Sequence, residues 1–354
     1  MSALPAEPLR REASPPNVVS RLHIRVVYRN AQGEIHLDWP ADKIQEAVDD
    51  ADGTVWVDLE DPDSADETAA EAILLDLFKF HPLAVEDALK EAHVPKIDDW
   101  GDYLYIVFHT IDFCPETDHL RLHELDVFIG KNYLVTYHNE PLHFLDQDRK
   151  NIERDPSNRL RHGPDHLLYH FLDLAVADIL PAIEHLDEAI DDAQEEVFRR
   201  PTPRTLQEIF KVKRSALKIH RMLSPEREVL NRLARDSYSP ISEGHRIYFR
   251  DVYDHLVRVH DLSESLRDLI SGALDTYLSA ISNRTNDIMK ALTVVTVMFL
   301  PMSFLSGFFG MNFFGENLNF HVPLPKMFLF VLTCLFMAVG FIAPWVLAYR
   351  RKWF

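Results

Sequence analysis

Residues 282–313 read SNRTNDIMKALTVVTVMFLPMSFLSGFFGMNF, and the fold turns on what the middle of this stretch can be. Ala291–Phe309 runs for 19 residues without a charge, enough at about 1.5 Å per residue for roughly 28 Å of bilayer. A second uncharged run, Met327–Tyr349, has 23 residues and is richer in Phe, Leu and Val. Two such runs near one end of a chain predict a pair of membrane-spanning helices rather than the core of a soluble domain. Trp345 and Tyr349 stand where an aromatic belt would meet the headgroups. Arg284 and Lys290 precede the first run, and Arg350, Arg351 and Lys352 follow the second. Basic flanks stay on the cytoplasmic side. Both termini are therefore expected inside the cell's inner (plasma) membrane, with the 310–326 loop outside.

Upstream, the first run continues a seven-residue pattern. From Asp254, every seventh residue is Asp261, Asp268, Asp275, Ser282, Met289, Thr296, Ser303 and Gly310. A neighbouring row holds Ser265, Gly272, Ser279, Asn286, Thr293, Leu300 and Gly307. Residues seven apart stay near one helix face, drifting about 20° per step. One helix from about Ile241 to Phe309, roughly 100 Å long, would carry carboxylates at one end and small polar groups inside the membrane. Such a stripe is either a solvated face or a face toward a symmetry axis. In the second case copies of the chain enclose a channel and each residue becomes a ring. Uncharged oxygens suit hydrated Mg²⁺, which gives up its waters reluctantly.

The chain has 354 residues, 47% hydrophobic and 26% charged, with a net charge of -19. Nearly all of that charge precedes residue 291. So acidic a region repels nucleic acid and attracts cations. Cys114 and Cys334 are too few for a disulfide framework. Residues 1–20 lack the apolar core of a signal peptide and read as a mobile tail. No Gly-rich phosphate loop or Walker motif offers a nucleotide site, and no Ser/His/Asp or Cys/His spacing suggests an enzyme.

Alternating patterns predict strands at Leu22–Tyr28, Thr54–Leu59, Tyr103–Thr110, Leu120–Ile129 and Tyr133–Tyr137. Helices are expected at Ala65–Phe80, Pro82–Lys90 and Pro141–Arg154. From Asp165 the chain reads as almost continuous helix, broken at Pro201-Thr202-Pro203, Ser224-Pro225 and Ser239-Pro240. His162, His166 and His170 step by four, a spacing that can hold Zn²⁺. Gly163-Pro164 is expected to break that face and leave only a pair. Asp187, Glu188, Asp191, Asp192, Glu195 and Glu196 form an acidic cluster, read as a solvated face or a weak Mg²⁺ screen. His81, His93 and His255 read as packing or capping residues.

The stretch 282–313, with Gly310-Met311-Asn312 closing the first of two terminal spans, resembles the CorA family of Mg²⁺ channels. FKFHPLAVEDALKEAHVPKIDDW (78–100) and FRDVYDHLVRVHDLSESLRDLISGALDTYLS (249–279) are similar to that family's cytoplasmic segments. The resemblance implies a funnel-shaped homopentamer of α+β class, with an αβα cytoplasmic domain at 21–164 and a helical stalk at 165–290. It implies a pore-lining transmembrane helix at 291–309, an external loop at 310–326, an outer transmembrane helix at 327–349 and a basic tail at 350–354. It further implies that Asn312 rings the outer mouth beside Met311, with Gly310 supplying backbone freedom. Asn286, Thr293 and Ser303, with Thr296, would line the pore, and Met289 and Leu300 would form apolar constrictions. Asp87 would face Asp251 of a neighbouring copy across a regulatory Mg²⁺ that holds the closed state, with Glu86 and Asp268 as further candidate ligands and Asp275 below the pore. Many family members carry Met-Pro-Glu-Leu soon after Gly-Met-Asn. Here FFGENLNFHVPLPK (313–326) has Glu316 as its only carboxylate, which weakens cation attraction at the mouth. The implied cargo is Mg²⁺, with Co²⁺ or Ni²⁺ possible, driven by membrane potential. A proton-coupled Zn²⁺ transporter of the same superfamily and a non-conducting metal sensor are the alternatives.

Overall fold

The computed structural model describes residues 22–62, 67–90, 94–114, 119–155, 159–310 and 326–350. Seven strands form one sheet: β1 His23–Arg29, β2 Ile35–His36, β3 Thr54–Glu60, β4 Lys96–Asp99, β5 Leu104–Cys114, β6 His119–Ile129 and β7 Tyr133–His138. Their order is β2-β1-β3-β7-β6-β5-β4, and β3 with β7 is the parallel pair among antiparallel ones. All seven residues of β3 are buried, as a central strand covered on both faces requires. On one face Val55, Val57, Leu59, Tyr105, Phe128 and Val135 share a core with three short helices, α1 Ile44–Asp49, α2 Glu67–Ala72 and α3 Pro82–Leu89. On the other face lie α4 His143–Arg154 and α5 Pro164–Ala177, where Phe171 meets Trp56 with ring centroids 4.9 Å apart.

A buried polar network crosses the sheet beside Trp56. The Trp56 indole donates to Thr136 Oγ1 at 3.0 Å, and Thr136 donates to Asp58 Oδ1 at 2.6 Å. His138 Nε2 lies 3.1 Å from Asp58 Oδ1, while its Nδ1 lies 2.7 Å from the Glu140 carbonyl. Both nitrogens face acceptors, so the ring is an imidazolium donating twice. Burial opposes that charge, but Asp58 outweighs it and raises the His138 pKa. Burial likewise opposes the Asp58 carboxylate, yet His138 and Arg25 hold its pKa below the usual range.

Beyond the sheet come α6 Ile179–Arg199, α7 Pro203–Arg235, α8 Arg246–Gly310 and α9 Lys326–Arg350. The expected breaks at 201–203 and 239–240 are present, but Ser224-Pro225 is not one: α7 runs through Pro225. Met222, Leu223, Val229 and Leu230 are buried on either side of it, and their packing outweighs the roughly 3 kcal/mol that proline costs a helix interior. The helix expected at Ala65–Phe80 becomes π-helical over Ile73–Leu77.

The chain divides into two compact units, 1–190 with 210–270 and 191–209 with 271–354. The second contains the C-terminal part of α8 and the whole of α9. Glu243–Phe308 includes an apolar window long enough to cross a bilayer of which only 11% is buried, and α9 has 25 residues around the apolar Val331–Leu347. Pro164–Arg199 passes the same test of length and composition, but half of its window is buried, as for a soluble core helix. Gly340 of α9 comes close to Pro301 of α8, since a Cβ there would lie 3.6 Å from the proline Cβ. That close approach is the small-residue packing expected between helices in lipid.

Candidate functional site

The helix α8 carries both seven-residue rows. In the first unit Asp254, Asp261, Ser265 and Asp268 are exposed, whereas Val252, Leu256, Val259, Leu266 and Ile270 are buried. In the second unit Gly272, Asp275, Ser279, Ser282, Asn286, Met289, Thr293, Thr296, Leu300, Ser303, Gly307 and Gly310 are all exposed, while Ala273, Tyr277, Val294 and Met298 are buried. The polar rows thus remain uncovered, and part of the apolar surface is not. Asn286, Met289 and Thr293 share one shallow groove, and Thr296, Leu300 and Ser303 share another.

The threonines have a specific hydrogen-bond geometry. Thr293 Oγ1 donates to the Met289 carbonyl at 2.8 Å, and Thr296 Oγ1 donates to the Leu292 carbonyl at 2.9 Å. Each hydroxyl proton is committed to the backbone one turn earlier. The remaining lone pairs can only accept. Water bound to a divalent cation turns its hydrogens outward, so an acceptor-only oxygen matches it. Met289 and Leu300, 56% and 67% exposed, interrupt these oxygens with apolar groups of the kind that gate by dewetting.

The remaining expected residues are more scattered. Gly310 ends α8; Met311 and Asn312 lie outside the described residues, as do His93 and most of the 310–326 loop. Asp87, on α3, is bonded to Lys96 Nζ at 2.5 Å, and the same ammonium lies 2.9 Å from Asp98. Asp251 is an exposed residue of α8. Within one chain the two carboxylates have separate surroundings, and a lysine already balances Asp87. Glu86 pairs with Lys90 one turn away at 2.6 Å. Asp268 and Asp275 are exposed on the row of carboxylates.

The set His162, His166 and His170 departs from expectation. His162 does join the other two: Gly163, at φ 95°, turns the chain so that the His162 ring lies 4.9 Å from His166, which is 4.6 Å from His170. Burial, followed by His162 and His245, lowers the His166 pKa to about 4. His81 caps α3 by accepting from the Leu83 N–H and stacks on Trp100 at 4.1 Å. His255 pairs with Asp173 at 3.4 Å. The acidic cluster at 187–196 is exposed, opposite buried Ile183, Leu186, Ile190, Ala193 and Val197, and forms the solvated side of α6. Unforeseen from the sequence is a cluster of His260, Asp261 and Glu264 on α8, whose i, i+1, i+4 spacing was the available signal.

Residues 51–350 match the family described as CorA-like Mg²⁺ transporter protein. A cobalt/magnesium transport protein CorA of Thermotoga maritima is 35% identical over 239 residues, covering 67% of this chain and 68% of that protein. Its namesake in Methanocaldococcus jannaschii is 26% identical over 264 residues, 73% of this chain and 80% of that one. The solved complete structure of the M. jannaschii CorA magnesium transporter superposes with a TM-score of 0.75 at 21% identity, covering 93% of this chain and 98% of that chain. That last likeness is one of fold.

Proposed function

The chain belongs to the CorA-like Mg²⁺ transporter family, and from that premise we propose that it is a passive divalent-cation channel whose principal cargo is Mg²⁺, with Co²⁺ also admitted. The observation that carries this reading is the uncovered row of acceptor oxygens on α8, within a helix segment otherwise rich in exposed Leu, Val and Phe. Exposed apolar surface of that extent is lipid-facing or interface surface. A polar stripe within it needs water or another copy of itself. A homopentamer would give it both.

In this arrangement Asn312 holds the hydrated ion at the outer mouth through its waters. Below it Ser303, Thr296, Thr293 and Asn286 accept from those waters, and Leu300 and Met289 form the constrictions. The carboxylates of Asp275, Asp268, Asp261 and Asp254 raise the local cation concentration at the cytoplasmic end. Membrane potential, inside negative, drives entry with about 4.6 kcal/mol per 100 mV for a divalent ion. Both termini lie in the cytoplasm of an inner-membrane protein, in keeping with Arg284 and Lys290 before the first span and Arg350–Lys352 after the second.

Regulation follows from Asp87 and Asp251 on adjoining copies. A Mg²⁺ between them stabilises the arrangement it binds by RT ln(1 + [L]/Kd) per site. The Lys96 contact sharpens this account. With Lys96 beside Asp87 the empty site is less repulsive than two bare carboxylates, so bound Mg²⁺ must displace or share that ammonium.

The test is uptake by liposomes containing the purified chain and a trapped Mg²⁺ indicator. Influx that depends on the protein and is carried by Mg²⁺ and Co²⁺ supports the reading. A protein that reconstitutes as an oligomer and passes neither ion is a sensor, not a channel.

A further inference from the structure

In the first unit α7 and α8 bring two imidazoles together, their rings tilted by 39°. The rings of His220 and His260 lie 5.3 Å apart. His260 is only 8% exposed, yet among the described residues its Nδ1 has no hydrogen-bond partner, and the buried Nδ1 of His220 has none either. Unpaired buried nitrogens of this kind are destabilising unless something binds them.

The surroundings supply what such nitrogens lack. His260 Nδ1 is 3.9 Å from Asp261 Oδ1, too far for a hydrogen bond but near the span of two donors on one cation. Glu264, one helical turn from His260, reaches the same place. One donor atom each from His260, Asp261 and Glu264 lies within 4.8 Å of the others. Bonds of about 2.1 Å to a first-row cation hold two donors at most about 4.2 Å apart. Both carboxylates are exposed, and rotation of their side chains closes the remaining distance.

We propose that His260, Asp261 and Glu264, with His220 as a fourth donor from the neighbouring helix, bind a first-row divalent cation of the Zn²⁺, Co²⁺ or Ni²⁺ class in preference to Mg²⁺. Imidazole nitrogen suits those cations, whereas Mg²⁺ takes oxygen ligands in a near-ideal octahedron. The two imidazoles set the site apart in ligand chemistry from the all-oxygen path and from Asp87 and Asp251, although it shares Asp261 with the row of carboxylates on α8. Occupation would clip α7 to α8.

The experiment uses the full chain in detergent, stripped with a chelator and then held in excess Mg²⁺ to fill oxygen-only sites. Zn²⁺ is titrated against a chromophoric indicator, and Co²⁺ is followed by its visible ligand-field absorption. Wild type should retain one Mg²⁺-resistant Zn²⁺ per chain more than the Asp261→Asn/Glu264→Gln variant, whose changes fall on exposed side chains and preserve their shape. His260→Ala should lose the same equivalent, and His220→Ala should weaken it and alter the Co²⁺ spectrum. His162→Ala, in the separate histidine cluster, should keep it. Equal Zn²⁺ retention in wild type and the double variant would overturn the proposal, as would complete displacement by Mg²⁺.

Discussion

Replacing Thr293 by valine tests the acceptor-oxygen mechanism with little change of shape. Valine is β-branched like threonine and has a similar helix propensity. The Met289 carbonyl loses the hydroxyl at 2.8 Å, but it keeps the backbone N–H one turn on. What disappears is one outward-facing acceptor per copy. A hydrogen bond of this type contributes about 1 kcal/mol, or roughly five-fold in rate per copy if it is made where the ion meets its barrier. Two copies acting together give about 25-fold, so Mg²⁺ influx should fall by at least about an order of magnitude. Thr293→Ser restores the oxygen and should recover most of the flux. Thr285 makes the same bond to the Ile281 carbonyl at 3.0 Å but lies off both rows, so Thr285→Val should conduct like the parent. Indicator-loaded liposomes measure all three, with oligomer size checked by gel filtration. Parental flux through an assembled Thr293→Val, or equal loss in Thr285→Val, would refute the reasoning.

Three further outcomes are expected. Asn312→Ala should abolish influx while leaving the oligomer intact, because the mouth loses its amide groups; liposome flux of the purified variant decides this. Asp87→Ala combined with Asp251→Ala should weaken both Mg²⁺-dependent protease protection and inhibition by internal Mg²⁺, and unchanged curves for both would remove these residues from regulation. Glu226 is fully buried in α7, and burial raises its pKa well above the usual carboxylate range against the hydrogen bond it accepts from the His109 N–H at 2.9 Å. A raised carboxyl pKa means the folded state binds the extra proton. Stability is thus fully present below about pH 4.3 and falls by about 1.4 kcal/mol per pH unit until the folded pKa is reached. Glu226→Gln should raise the thermal denaturation temperature at pH 8 and leave it nearly unchanged at pH 4; an equal shift at both would show that Glu226 is not held protonated.

Much of the fold is written in local pattern. The five strands with clear alternation appear within a few residues of their expected limits, and both uncharged runs are helical. What escaped detection depends on distant partners. Lys96–Asp99 is a charged edge strand that exists because it pairs with β5, and the two-residue strand Ile35–His36 exists because it pairs with β1. Pro225 reads as a break until the apolar residues around it are seen to be buried. The stripe on α8 was legible from its period of seven, since helix geometry alone places those residues together. The Lys96 partner of Asp87 was not, nor was the approach of His220 and His260, because 40 residues separate those histidines and no periodicity links two helices.

The measurement that bears most directly on the central claim sets an inside-negative potassium diffusion potential across liposomes holding the purified chain, with no proton gradient. The account predicts that Mg²⁺ enters, that its initial rate rises with the imposed potential, and that a proton carrier changes nothing once the potential is clamped. Influx that ignores the potential, or that requires an inward proton gradient and favours Zn²⁺ over Mg²⁺, would contradict a passive Mg²⁺ channel.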